Sequence, residues 1–381
     1  MQISEVDTAG QVRVDHDELV AFVARIFTGR GLPADRARIA ADALVYGDAA
    51  GLGSHGLANL NKLYLPLFDD DRVDPAGELA VTSDRGATAV IDAAGTLGLW
   101  TASAVLDNAA DRAQRYGVGV CFVRNATHFG CAGYHTREQA LRGRIAVLSS
   151  NCGAQRIARP PGGRYAMLGT NPLSIAAPAG DAAPYVLDMS TTAVPTGRIR
   201  QAARRGDPIP PGWLVDESGA PLTDPAALDR GDGFPTWLGG SPETGAYKGY
   251  GLALAVEVLS ALVSGAALGP APEAYTGSGG PTGRDDDIGY FAMVIDPGAA
   301  RGDSAMGPAA AGMFAALRAC APVDPAQPVG YPGLWEDEKL RAARSDGVAL
   351  DFALWDEVRK VASAEGVEPP TLVLGSNEVE A

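Results

Sequence analysis

Residues 249–269, GYGLALAVEVLSALVSGAALG, form an apolar run long enough to cross a bilayer, and any fold for this chain has to accommodate it. Glu257 stands near its centre and Gly and Ala dominate it, so the expected form is a helix buried in a large protein core, not a membrane span. A core able to enclose such a helix needs a long chain, and 381 residues are enough for two or three lobes.

A second constraint comes from GLGSHG at 51–56, which spells the G-x-G-x-x-G of a dinucleotide-binding turn. That turn works only where a strand leads in and a helix leads out, so that helix N-terminal amides meet the pyrophosphate. Here the order is reversed. An amphipathic helix at 15–28, capped by Asp15 with Leu19, Phe22, Val23, Ile26 and Phe27 on one face, is followed by a second helix opening at Pro33 and running into the glycines. Residues 51–56 are therefore expected not to hold a pyrophosphate.

Further along, a helix is expected from Ala102 to Tyr116, and strands at 118–123, 145–150, 173–178 and 185–190, each leading into a loop rich in Gly, Pro, Ser or Asn. Residues 200–248 read as Pro- and Gly-rich connections, and a second loop-like stretch, which contains three consecutive aspartates at 285–287, precedes a strand at YFAMVIDP. Those aspartates read as a solvated tip and not a metal site. A C-terminal helix is expected in DFALWDEVRKVASAEG. Gly (48) and Pro (27) make up about a fifth of the chain, below the level at which disorder becomes the better reading.

Charge narrows the partners. With 31 Lys and Arg against 46 Asp and Glu the net charge is −15, and no basic run offers a surface to nucleic acid or an anionic membrane. Cys121, Cys131, Cys152 and Cys320 lack C-x-x-C spacing and read as reduced thiols of a cytoplasmic protein. The polar start, MQISEVDTAG, has no apolar segment of a secretory signal.

Several stretches, in order, resemble the malate/L-lactate dehydrogenase family, which is distinct from the Rossmann-type lactate dehydrogenases and includes ureidoglycolate, sulfolactate and diketogulonate enzymes and cyclic imino-acid reductases. They are SHGL (54–57), VRNATHFGCAGYH (123–135), LGTNPLSIAAP (168–178), VLDMSTTAVPTGRI (186–199), DESGAPLTDP (216–225), YKGYGLALAVEVLSALVSGAALG (247–269) and YPG (331–333). The resemblance implies an α/β fold with a non-Rossmann nicotinamide-binding domain on a mixed, largely antiparallel sheet, and a helix-rich substrate and dimerisation domain formed by both chain ends. The implied boundaries are 1–125, 126–310 for the coenzyme domain, and 311–381 returning to the first. A homodimer using NAD or NADP on a small-molecule substrate follows from the same likeness.

Hydride transfer to a carbonyl leaves charge on oxygen, and a proton must be supplied in the same step. Histidine suits that task near neutral pH. Among the four histidines, His55 and His128 fall in the matching motifs, whereas His16 and His135 read as structural. Taken alone, His55 reads as a turn residue, and the His-Phe-Gly at 128–130 suits either a structural or a catalytic role. The resemblance makes His55 the acid/base residue and His128 its alternative or a substrate-binding partner. Ser54, a cap or an imidazole partner, joins Asn59, Thr170 and Asn171 as substrate-binding candidates. The resemblance assigns Asp188, Met189, Ser190, Thr191, Tyr247, Lys248, Pro332 and Gly333 to the coenzyme, and hydroxyls with a lysine ahead of a helix suit a pyrophosphate.

The pattern breaks at Asn59, where the family carries an arginine that grips the substrate carboxylate; Leu63 and Leu334 depart from it too, and Lys62 is a substitute cation. The expected activity is hydride transfer between NAD(P)H and a 2-oxo/2-hydroxy acid or related carbonyl compound. A cyclic imine reductase and an inactive nucleotide-binding homologue are the alternatives. A metallohydrolase on His55, His128 and Asp188 lacks the local ligand spacing of such sites, and no metal is expected.

Overall fold

The computed structural model describes residues 11–276, 280, 286–302 and 306–373, so the polar start read above lies outside the described residues, as does Asp285 of the aspartate run. The chain divides into two compact units, one up to Asp71 and from Trp335 onward, the other Arg72–Leu334.

The first unit is mostly helical. Asp15 accepts hydrogen bonds from the Asp17 and Glu18 amides and so starts α1 (His16–Gly29), whose Leu19, Phe22, Val23, Ile26 and Phe27 are all buried, as the periodicity required. Alanines 37, 40, 41 and 43 let α2 (Ala34–Ala49) pack closely in the same core. A short α3 (Leu65–Asp69) follows. The two chain ends meet in an antiparallel pair, β1 (Gln11–Val14) with β12 (Val348–Asp351), flanked by α11 (Leu334–Asp346) and α12 (Phe352–Glu365). Arg30, capping α1, makes a two-pronged ion pair with Glu365 at the end of α12.

The second unit is built on a seven-stranded sheet of order β2-β3-β4-β11-β5-β6-β7. Its strands are β2 (Ala80–Asp84), β3 (Thr88–Asp92), β4 (Val118–Ala126), β5 (Ile145–Ser150), β6 (Leu173–Ala177), β7 (Tyr185–Met189) and β11 (Ile288–Ile295). β3 and β4 run parallel and the other neighbouring pairs antiparallel, so the sheet is mixed. The parallel pair is joined through α4 (Gly98–Tyr116), whose Ala102, Val105, Leu106 and Ala109 share a core with Cys121, Val123, Leu148 and Tyr290. α5 (Ala132–Leu141) packs on β5 and β6.

Between β7 and β11 lie α6 (Thr196–Arg205), a small sheet of β8 (Leu214–Val215), β9 (Pro221–Leu222) and β10 (Phe234–Pro235), α7 (Ala227–Arg230) and α8 (Ala246–Glu257). α9 (Pro297–Arg301) and α10 (Met306–Arg318) follow β11.

Two sequence expectations need correction. Strands β2 and β3 and helix α4, given to an N-terminal region ending at 125, belong to the sheet unit, because β3 pairs with β4 along its length. The apolar run is helical only as far as Leu262 and is not buried throughout. After α8 the backbone widens into a π-helical turn at Val258–Leu262 and ends at Gly265, whose φ is +78°. The Gly269 amide donates to Glu257 Oε1 at 2.7 Å and so folds the run back on itself, leaving Val258, Leu259, Leu262 and Val263 exposed. Among the described residues no helix is long and apolar enough to cross a membrane.

Candidate active site

In the helical unit the glycine pattern follows a helix, as its sequence context indicated. The chain leaves α2, makes a 3₁₀ turn at Gly53–His55 and then a π-helical turn at Leu60–Tyr64. The return is tight: a Cβ on Gly47 would stand 2.7 Å from the Gly56 Cα and 2.8 Å from the His55 carbonyl carbon. Ser54 Oγ lies 2.8 Å from His55 Nδ1, which orients the ring through that nitrogen. Asn59 Nδ2 donates to the Ser54 carbonyl at 3.0 Å, and Lys62 Nζ pairs with Glu357 at 3.4 Å. Asn59, where the family arginine would stand, therefore pins the turn, and the substitute cation Lys62 already has a carboxylate.

Beneath this turn sits Asp48, which the sequence reading passed over. Its Oδ2 accepts the Leu57 amide at 2.7 Å, and a Cβ on Gly56 would overlap the carboxylate, with Cγ at 2.5 Å. Burial, with the Asp351 charge adding to it, pushes the carboxyl up to about 7 against the pull of the Leu57 bond.

In the sheet unit His128 lies in the loop from β4 to α5, partly exposed. The Gly130 amide donates to its Nδ1 at 3.1 Å, which puts the ring proton of the neutral form on Nε2. Thr127 anchors the loop: its Oγ1 accepts from the Gly98 amide at 2.9 Å and donates to the Thr96 carbonyl at 3.0 Å. Gly98 has no room for a side chain, since a Cβ would fall 2.5 Å from the His128 carbonyl oxygen and closer still to that of Thr127. Gly98→Ala is expected to lower stability by about 1–3 kcal/mol and to displace the His128 loop, read by thermal melting and by the His128 ring signal in NMR; unchanged values for both would contradict this geometry.

His135 is structural. It is buried, bonded to Ser103 Oγ at 2.7 Å and to the Phe129 carbonyl at 3.0 Å, and desolvation lowers its pKa to about 4.

Asp188, at the end of β7, accepts the Gly133 amide at 2.7 Å in the first turn of α5, so it and the His128 loop frame the same helix start. One chain of backbone bonds joins three of the matching motifs. The Thr191 amide and hydroxyl both donate to the Thr170 carbonyl, at 2.9 and 2.8 Å; the Leu238 amide donates to the Thr191 carbonyl at 3.0 Å; the Gly249 amide donates to the Leu238 carbonyl at 3.2 Å. Thr191 is fully buried and its hydroxyl is committed there. Ser190 Oγ donates to the Thr192 carbonyl, and Met189 beside it is partly exposed. Tyr247 and Lys248 stand exposed in the first turn of α8, with Lys248 Nζ 5.8 Å from the Tyr247 ring centre. Pro332 and Gly333 lie along β7, the Val186 amide donating to the Pro332 carbonyl at 2.9 Å, and Gly333 (φ +94°) has no space for a Cβ against Pro184 and Val186.

Asn171 is fully buried with φ +37°, a left-handed geometry that asparagine tolerates. Its Nδ2 donates to the Ala253 carbonyl and to Glu257 Oε2, at 3.1 and 2.9 Å, while Oδ1 has no partner among the described residues. Glu257 Oε1 accepts from Asn151 Nδ2 and the Gly269 amide, at 3.1 and 2.7 Å. The glutamate is thus paired, as its place in an apolar run demanded, and it holds Asn171 and with it the Thr170 turn.

Among the described residues no group of three or more His, Cys, Asp or Glu is placed to hold a metal ion.

The family model for malate/L-lactate dehydrogenase matches residues 14–359. A malate dehydrogenase of Pyrococcus horikoshii is 34% identical over 286 residues, 75% of this chain and 76% of that protein. An L-sulfolactate dehydrogenase of Methanocaldococcus jannaschii is 32% identical over 337 residues, 88% of this chain and 92% of its own. The crystal structure of malate dehydrogenase from Entamoeba histolytica superposes with a TM-score of 0.87 at 27% identity, covering 95% of this chain and all of that one.

Proposed function

The chain belongs to the malate/L-lactate dehydrogenase family, and from that premise we propose that it is an NAD(P)-dependent oxidoreductase of a 2-oxo/2-hydroxy acid or related carbonyl compound, with His55 as proton donor and acceptor. The observation that carries this reading is the Ser54–His55 bond, which fixes the orientation of an imidazole in the S-H-G turn, a group able to give and take a proton near neutral pH. His128, oriented through Nδ1 in the same fashion, is the substrate-binding partner or the second acid/base candidate.

The donor set fits a dinucleotide. The first turn of α8, which follows Gly245, carries exposed Tyr247 and Lys248, so an ammonium group is available to phosphate. A bound nicotinamide gives or takes the hydride. Lys248 would hold the anionic part, with Tyr247, Ser190 and Met189 as further candidates to border it, and Asp188 and Thr191 act one step back by fixing the backbone. This region falls within 126–310. The family further supports a homodimer working in the cytoplasm on a soluble small molecule. With Asn59 pinned to Ser54, the substrate carboxylate has to be met by another group, which favours an acid different from those an arginine anchors.

Titration of purified protein with NADH and NADPH, followed by absorbance assays over oxo acids and cyclic imines, tests the reading. Lys248→Met is expected to weaken the tighter coenzyme about 10-fold or more, the loss of a charge-assisted bond to phosphate. Absence of any coenzyme binding, or turnover of no member of the panel, would overturn it.

A further inference from the structure

We propose that Asp48 is a positioning residue for His55, acting through the Gly56 and Leu57 backbone, and that it holds the S-H-G turn at the expense of folding stability. This rests on the reading of His55 as the acid/base residue. The geometry is specific. Gly47 and Asp48, adjacent on α2, meet the returning chain at two points: Gly47 lies against the His55 and Gly56 backbone, and the Asp48 carboxylate fills the space a Gly56 side chain would need while accepting the Leu57 amide. His55 is thus held on one side by Ser54 and on the other through the peptide that follows it.

Asp48 is charged at little advantage to the fold. Its second oxygen accepts no hydrogen bond among the described residues, and no cation bonds to it. The charge that acts on it is that of Asp351, the N-cap of α12, which opposes its ionisation; His55 stands on the turn it supports, and Lys339 of α11 lies against Gly51, three residues along. A residue kept only for stability would be better served by a neutral acceptor. An ionised carboxylate makes the stronger bond to the Leu57 amide, which is what a fixed turn requires.

Linkage gives the sign. The carboxyl titrates near 7 in the folded protein and near 4 unfolded, so the folded state retains a proton between those values and stability falls as pH rises from about 4 to about 7. Asp48→Asn keeps an acceptor oxygen for Leu57 and removes the charge. Its melting temperature should match that of the natural protein below about pH 4, exceed it increasingly as pH rises to about 7, and keep that lead at pH 8. Its kcat should do the reverse: the ratio of natural to variant kcat is expected to rise through pH 7 to about 3-fold to 10-fold, with the coenzyme KM unchanged within about twofold. Asp48→Ala, lacking the acceptor, should lose about 10-fold to 100-fold in kcat at every pH.

A purely structural Asp48 would lower melting temperature and kcat together on substitution; that result, or a kcat ratio flat between pH 5.5 and 9, overturns the proposal. The His55 ring signal in NMR gives a readout without turnover. Its titration should shift in Asp48→Asn, and an unshifted titration counts against Asp48 even if every substrate in the panel is inert, an outcome that by itself would remove only the assigned reaction.

Discussion

His55→Ala is expected to reduce kcat by about 10²–10⁴-fold while coenzyme affinity stays within about twofold, the size of a lost general acid/base. The ring is held by Ser54 and by a backbone that folds back on α2, so its removal is expected to leave the turn in place and to take away the proton carrier proposed above. His128→Asn separates the two histidines. If His128 binds substrate, its loss raises KM and leaves the pH profile intact; if it moves the proton, the basic or acidic limb of the profile disappears from this variant and persists in the His55 variant. Wild-type kcat in His55→Ala would remove the proposed mechanism.

Glu257→Ala should produce the largest loss of stability, about 3–5 kcal/mol, seen as a drop in melting temperature of several degrees or more. The carboxylate takes hydrogen bonds from Asn151, Asn171 and the Gly269 amide inside the sheet unit, and alanine leaves all three donors without that acceptor and a cavity in their midst. Glu257→Gln should fall between, because whichever way the amide is turned its NH₂ faces a donor. Coenzyme affinity should fall as well, since Asn171 carries the turn whose Thr170 carbonyl receives Thr191. A melting temperature within about 2 °C of the natural protein would show that the buried network is not what holds these turns.

Much of this was legible in the chain. Period and capping located α1 and α2, and β-rich runs bounded by turn residues located β4 through β7, because each of those signals acts within a few residues. The helix ahead of GLGSHG was enough to set aside a pyrophosphate turn there. What sequence could not supply was contact at a distance. Strands β2 and β3 are short, and β2 is fully exposed, so no buried alternation marks it. Asp48 looks like any polar residue in a helix until the chain returns over Gly47. Asn59 looked like a weakened substrate clamp, and only its bond to the Ser54 carbonyl shows it serving the turn instead. Asn171 and Thr191 had the right chemistry for ligands, yet their polar hydrogens are used inside the protein.

The order of the large sheet sets a condition on how the protein is made. β11, at Ile288–Ile295, lies between β4 and β5, strands that leave the ribosome some 140 residues or more before it. Until that late segment emerges, two hydrophobic strands present open edges to every other nascent chain, and neither can be closed by its immediate neighbour in sequence alone. Slow synthesis through 150–288 would lengthen that exposure, so overproduction in a heterologous host should give inclusion bodies whose yield falls when chaperones that shield such edges are supplied together with the chain.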